Sequence, residues 1–322
     1  MKKRKLITAL CALSLGATLT ACSADTSTSF AFRWNPNSNN EVLLLPEGRD
    51  FYERYEYSVE LKNESGENED YSVDYKNGKY SVTLKADPED ANGYVLESSF
   101  TISVQYKCGG KTSEVFEDSV SSLVKFKGES DLRPTYSEKT VQSTSPVTLT
   151  ASSLEGCYRK FHYKTTTTYN AKCTSGVFTQ QDLGPNTVKT QTKKFSVSSK
   201  RSYLDNEQLF FALRGISGSD AQSISVFDGG SKRVRTVKVS QAKAASVEYE
   251  LFFNSEEKQT KTIDYVPFSV QFSGENPGAT HKVHVAKNTE SNTYRNMILR
   301  IETPLSFNLG TLVYKLQKAT TF

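Results

Sequence analysis

Leu204-Asp205-Asn206-Glu207-Gln208-Leu209-Phe210-Phe211-Ala212-Leu213-Arg214-Gly215 is the one stretch of this sequence punctuated as a helix. Asp205 stands where an N-cap belongs, and Gln208, three residues on, completes a capping box in which each side chain satisfies the other's backbone N–H. Leu204 before the cap and Leu209 after it form a hydrophobic staple, and Gly215 falls at the position of a closing glycine. Leu209, Phe210 and Leu213 give the helix an apolar face to bury against a sheet.

Everything around that helix alternates with a period of two, the signature of strands with one wet face. Tyr55, Tyr57, Val59 and Leu61 alternate with Glu56, Ser58 and Glu60. Tyr71, Val73 and Tyr75 lead into Asn77-Gly78, and Tyr80, Val82 and Leu84 lead out. Asn-Gly supplies the positive φ angles of a type I′ turn, so the sequence predicts a hairpin pairing Tyr75 with Tyr80 and Val73 with Val82. Leu96, Phe100, Ile102, Val104 and Tyr106 share one parity that Cys108 continues; Gly109-Gly110 turns the chain, and Val120, Val124 and Phe126 form the returning apolar face. Past Pro146 the strands are Thr-rich, broken by Gly184-Pro185-Asn186, and after the helix they resume to the C-terminus. One helix among about a dozen strands predicts a mainly β fold: a single large curved antiparallel sheet, a half-barrel, wrapping one short helix. Two β-sandwiches split near 134–146 are the alternative, although no linker-like stretch occurs there.

The N-terminus reads as an address. Met1-Lys2-Lys3-Arg4-Lys5 precedes an uncharged apolar run from Leu6 to about Leu19, the length of a signal peptide and short of the ~20 residues a spanning helix needs. Leu19-Thr20-Ala21-Cys22 resembles the lipobox of bacterial lipoproteins. That resemblance implies a thiol on Cys22 that receives diacylglycerol, and cleavage just before it. An ordinary signal peptide ending in a chance cysteine is the alternative. The expected organisation is a leader over 1–21, a Ser/Thr/Asn-rich lipid-anchored tether over 22–48, and a β-rich domain over 49–322. The protein is expected to be exported and anchored to the extracytoplasmic face of the cell membrane, two acyl chains sufficing where one is marginal. Phe30-Ala31-Phe32 and Trp34 are apolar for a tether; they pack on the domain or rest at the membrane interface.

Composition narrows the function. The chain has 40 Lys+Arg and 36 Asp+Glu, a formal charge of +4, and four of the cations sit in the leader. The mature chain therefore has no net charge, which argues against nucleic-acid binding. Lys232-Arg233-Val234-Arg235 is a short basic cluster that reads as a solvated strand face. Of five cysteines, Cys11 leaves with the leader and Cys22 takes the lipid. Cys157 and Cys173 enclose a Tyr/Thr-rich segment able to fold back, and form the candidate disulfide pair, worth about 3 kcal/mol. Cys108, on the core side of a strand end, reads as a small hydrophobe.

Catalytic and metal signatures are absent. His281 and His284 are three apart on a strand and so on opposite faces, where they cannot chelate one ion. His162, between Phe161 and Tyr163, reads as a wet-face residue. No G-x-S-x-G, H-E-x-x-H or phosphate-binding glycine loop occurs. Asp87-Pro88-Glu89-Asp90 lacks the ligand spacing of a calcium loop and reads as a turn. No catalytic residue, metal site or cofactor is expected, although a carboxylate pair for glycoside hydrolysis is a third class to keep in view.

The order of elements resembles that of uncharacterised envelope domains related to the Lol-type lipoprotein carriers. It is carried by Asp118-Ser119-Val120-Ser121-Ser122 with Leu132-Arg133-Pro134, by Asp205 through Arg214, and by Ile301-Glu302-Thr303-Pro304 with Gly310 through Leu316. The resemblance implies a single half-barrel from about Asp50 to Leu316 and an apolar ligand or lipid cargo. The lipidated Cys22 departs from a free shuttle. The leading expectation is a lipid-anchored, non-enzymatic envelope protein holding a hydrophobic small molecule or lipid. The competing one is a surface adhesion or scaffold module that binds glycan or protein through exposed tyrosines on a β-sandwich face.

Overall fold

The computed structural model describes residues 52–62, 71–128, 132–147, 153–196, 203–216, 221–274, 279–287, 294, 296–306 and 309–321. The leader, Cys22 and the tether over 22–48 lie outside the described residues. No helix among the described residues is long and apolar enough to cross a membrane.

Among the described residues the chain is mainly β, one 17-stranded sheet. Its first arm is a meander: β1 (Tyr52–Lys62), β2 (Tyr71–Asp87), β3 (Asp90–Cys108), the two-residue β4 (Lys111–Thr112), β5 (Phe116–Lys127), β6 (Pro134–Pro146), β7 (Tyr158–Tyr169), β8 (Ser175–Asp182) and β9 (Gln191–Ser196). The short helix Leu154–Cys157 precedes β7. The second arm holds β10 (Tyr203–Asp205), β11 (Gln222–Asp228), β12 (Arg233–Gln241), β13 (Ala245–Phe253), β14 (Lys258–Phe272), β15 (His281–Ala286), β16 (Ile298–Pro304) and β17 (Thr311–Thr321). β17 lies antiparallel to β1 and joins the arms. Among the described residues, pairing is antiparallel except between β10 and β11 and between β13 and β17. The second exception closes β13 to β17 into a small five-stranded barrel filled by Tyr249, Leu251, Ile263, Met297, Leu299 and Leu316. The alternative domain break at 134–146 coincides with β6, which is laddered to β5 on one side and β7 on the other.

The sheet curls because both arms pack on one helix. That helix is a 3-10 turn (Asn206–Gln208), an α turn (Leu209–Ala212) and a second 3-10 turn (Leu213–Gly215). Leu209, Phe211, Ala212 and Leu213 share a core with Leu84, Leu96 and Phe126 of the first arm and Val226, Val270 and Val283 of the second. A helix held between two walls must be apolar nearly all round, and Leu-Phe-Phe-Ala-Leu is. The capping box of Asp205 and Gln208 forms as its sequence predicts. Gln208 Nε2 also donates to the Leu132 carbonyl at 2.9 Å, pinning the helix start to the β5–β6 connection. Gly215 is not a left-handed closing residue: it lies inside the final 3-10 turn, buried, with Ile216 as the cap.

The Asn77-Gly78 hairpin does not form. β2 runs straight through these residues, with Tyr71 opposite Cys108 and Leu84 opposite Leu96, so both halves ladder to β3. The register steps from Lys76 opposite Ser103 to Lys79 opposite Thr101, one extra residue and hence a β-bulge. Asn77 has φ 54°. A type I′ turn and a bulge both need a left-handed residue, and both shift the apolar parity from odd (Tyr75) to even (Tyr80). Local sequence cannot separate them; the long partner strand β3 does. Gly78 is required by close approach, since a Cβ there would stand 2.5 Å from the Val59 carbonyl oxygen. Gly109-Gly110, by contrast, makes the predicted tight turn, at φ 55° and 73°.

Candidate functional site

The inner face of the first arm extends beyond the helix. There the alternation of β1, β2, β3 and β17 brings Val59, Tyr75, Ile102, Val104 and Leu312 into a second core. Between this core and the helix runs a belt of aromatic rings. Tyr57 meets Tyr80 at 5.6 Å between centroids, Tyr80 meets Tyr314 edge-on at 5.4 Å, and Tyr314 meets Phe100 at 6.0 Å. Cross-strand pairing dictates the order, Tyr57 lying opposite Tyr80 and Tyr80 opposite Phe100. Tyr80 and Tyr314 border all three large cores yet are only half-buried. Farther along, half-buried Tyr158 stacks on Tyr106 at 4.8 Å and packs on Phe116 at 5.0 Å.

One carboxylate sits within this face. Asp118 occupies the same parity as Phe116, Val120 and Val124 and is 2 % exposed. Thr144 donates to it from its backbone N at 2.9 Å and from Oγ1 at 3.0 Å, and the Tyr106 hydroxyl donates to Thr144 Oγ1 at 3.1 Å. Burial pushes the carboxyl pKa up to about 7, the Thr144 hydrogen bonds opposing it and Glu117 adding to it. Tyr75 is pushed up by burial and then by the Asp118 charge. The Tyr71 hydroxyl is buried without a hydrogen-bond partner.

The raised Asp118 pKa couples the protein's stability to pH. The folded-state value lies above the ordinary 3.8, so the fold prefers the protonated acid. Its contribution is complete below about pH 4 and is lost as pH rises towards 7. Displacement by about three units would be worth ~4 kcal/mol at most; with Thr144 relaxing around the anion we expect about 2 kcal/mol. Asp118→Asn should therefore be the more stable protein at pH 8 and match wild type near pH 4, by urea titration at both values. Equal pH dependence in the two proteins would disprove the assignment.

A disulfide staples the far end of this face, and it is not the predicted pair. Cys108 at the end of β3 bonds Cys157, with Cα atoms 6.6 Å apart. Cys173 is a buried thiol whose Sγ donates to the Pro134 carbonyl at 3.0 Å. The Tyr/Thr-rich segment does fold back, but only after 12 residues of β7, which span roughly 40 Å at ~3.3 Å per residue. Tyr163 lies opposite Asp182 and Tyr169 opposite Gly176, so Cys157 and Cys173 are at opposite ends of the strand. Cys108 is on the core side as expected, but as half of a cystine.

Two further buried charges hold the helix ends. Asp205 Oδ2 accepts from the hydroxyls of Ser137 at 2.6 Å and Tyr169 at 2.5 Å; burial, then Glu207, pushes its pKa up to about 6. Arg214 makes a bidentate pair with Glu53 of β1, at 2.7 and 3.2 Å, with both side chains at most 2 % exposed. Sequence reading gave the charges of Asp118, Glu53 and Arg214 no role. For the two acids a signal existed: each is in phase with an apolar series, Asp118 with Phe116 and Val120, Glu53 with Tyr55 and Tyr57.

The histidines do stand apart. His281 is buried 5.6 Å from the Phe210 ring, and burial pushes its pKa down to about 4. His284, on the opposite face, stacks on Tyr265 at 4.6 Å. His162 is half-buried. Asp87-Pro88-Glu89-Asp90 is the β2–β3 turn, with Asp87 and Glu89 paired to Lys125 and Asp90 to Lys127. Arg235 is not on a solvated face: it is buried against Asp228 at 3.4 Å and over the Phe272 ring. No grouping of three or more His, Cys, Asp or Glu able to hold a metal occurs among the described residues.

No family model matches this sequence, and no curated protein does. Among solved structures, it is similar to a β-barrel-like protein of the domain of unknown function DUF1849 from Brucella abortus. The TM-score is 0.47 at 10% identity, over 84% of this chain and 98% of that one.

Proposed function

We propose that this protein is a lipid-anchored, non-enzymatic envelope lipoprotein whose curved sheet takes up a hydrophobic ligand, a lipid or apolar small molecule, on its inner face beyond the helix. The observation that carries the reading is the half-buried belt of Tyr80 and Tyr314, with Tyr158 farther along, on the inner side of a sheet. Aromatic rings with residual exposure on a concave face present apolar area that a ligand can cover, with a hydroxyl to orient it. All 17 tyrosines lie among the described residues and each is buried or half-buried, which favours this reading over an adhesive face of fully exposed tyrosines. The resemblance of the element order to envelope domains related to the Lol-type carriers supports the same reading, while an anchor on Cys22 argues for a fixed receptor over a shuttle.

The test is extraction of the protein from native membranes and mass spectrometry for co-purified lipid, followed by titration with a fluorescent fatty acid. Tyr80→Ala with Tyr314→Ala should weaken probe binding about tenfold or more, each lost ring contact being worth ~0.5–1.5 kcal/mol beyond its area. No lipid above background and unchanged titration in the variant would end the proposal. Anchoring has its own readout. Cys22→Ser offers a far weaker nucleophile than a thiol, so the variant should neither enter a detergent phase nor label with a fatty-acid probe, and wild type should do both. A soluble, unlabelled wild type would refute the anchor.

A further inference from the structure

Many cations on this sheet pair with a carboxylate of a neighbouring strand: Lys85 with Glu97 at 2.7 Å, Lys164 with Glu138 at 2.8 Å, Lys258 with Glu250 at 2.6 Å. The seam where the arms meet departs from that rule. Phe195 of β9 stacks on Phe227 of β11 at 3.8 Å, and a Cβ on Gly229 would stand 3.2 Å from the Phe178 ring. Lys193 lies directly opposite Phe178 and shares the Phe195 side of β9, so its side chain is directed to the Gly229–Lys232 turn. Lys232 is held there at φ 58°, a left-handed conformation that costs a lysine free energy.

Lys193 and Lys232 are thus neighbours, and after burial it is the charges of Lys193 and then of Lys189, four residues before it, that make Lys232 a weaker base. Among the described residues none of the three forms an ion pair, and no acid occurs in 188–196 or 229–233. The nearest turn carboxylate, Asp228, is already engaged by Arg235 and by the amides of Gly230 at 2.9 Å and Ser231 at 3.3 Å. The Ser231 hydroxyl is buried without a partner. No backbone ladder among the described residues joins β9 to β11 or β12.

We propose that this seam is a binding site for a phosphate group, free or on a headgroup, held by the ammonium groups of Lys189, Lys193 and Lys232 and the hydroxyl of Ser231. Converging ammonium donors suit a multiply charged oxyanion, which turns their mutual repulsion into attraction. Because Lys193 comes from β9, Lys189 from the segment just before it and Lys232 from the β11–β12 turn, the anion bridges an edge that backbone hydrogen bonds leave open.

Thermal unfolding of the full chain tests this with two probes, inorganic phosphate and glycerophosphoglycerol, each against sodium chloride of equal ionic strength. At least one probe should raise Tm saturably above the chloride control, and Lys193→Ala with Lys232→Ala should weaken that response about tenfold or more. Saturation by phosphate alone identifies a free anion; saturation by glycerophosphoglycerol identifies a headgroup. Both lysines carry exposed or half-buried side chains, so the variant should fold in chloride; Lys189→Ala serves as a milder second variant with a smaller loss. A Tm response to both probes indistinguishable from chloride, or an undiminished response in both variants, overturns the proposal.

Discussion

Arg214→Ala is expected to destabilise the protein by about 3–5 kcal/mol, because it strands the Glu53 carboxylate in the core without a counter-charge. Glu53 is 1 % exposed, and its carboxylate also accepts from the Tyr55 hydroxyl at 2.8 Å. Arg214 also lies 4.9 Å from the Phe211 ring and 5.5 Å from that of Tyr55, so truncation removes packing as well as charge. The pair joins the end of the central helix to the first strand across 161 residues of sequence, and the loss should appear as a lower urea midpoint. Glu53→Leu with Arg214→Met, which removes both charges and keeps volume, should recover most of the loss. A single variant within 1 kcal/mol of wild type would show that the ion pair does not hold the helix.

Removing the Cys108–Cys157 bridge is expected to cost about 4 kcal/mol, the chain-entropy value for a loop of this length. The two cysteines are 49 residues apart, and the loop they close contains β5, β6 and their turns. Cys108→Ser with Cys157→Ser should lower stability by that amount, and reduction of wild type should have the same effect. Cys173→Ser should leave the bridge intact. Peptide mapping that found Cys157 linked to Cys173 would reverse the assignment.

The stabilising elements differ in how visible they are in the sequence. The capping box is visible because all its atoms lie within four residues, and the alternation of β1, β3 and β5 because each strand has one buried face. Asn77-Gly78 shows where the local signal stops. Its left-handed residue and parity shift are real, but a turn and a bulge share both, and the choice rests on β3, which laddered to all of β2 leaves no room for a hairpin. The cystine fails to read for a related reason: spacing in sequence measures chain length, whereas bridging needs a distance that depends on how far β7 runs before it turns.

By itself the sequence determined a β-rich fold and one helix with its start fixed at Asp205. Propensity, period and capping are local free energies, summed over a few residues at a time. Only the tertiary structure decided that Thr144 would meet Asp118, that Arg214 would reach Glu53, and that lysines from β9 and the β11–β12 turn would come together without an acid between them. Those outcomes depend on which distant strands meet when the sheet curls onto the helix. The free energy that drives the curl is burial of apolar area, which is non-directional and carries no residue-by-residue mark of its partner.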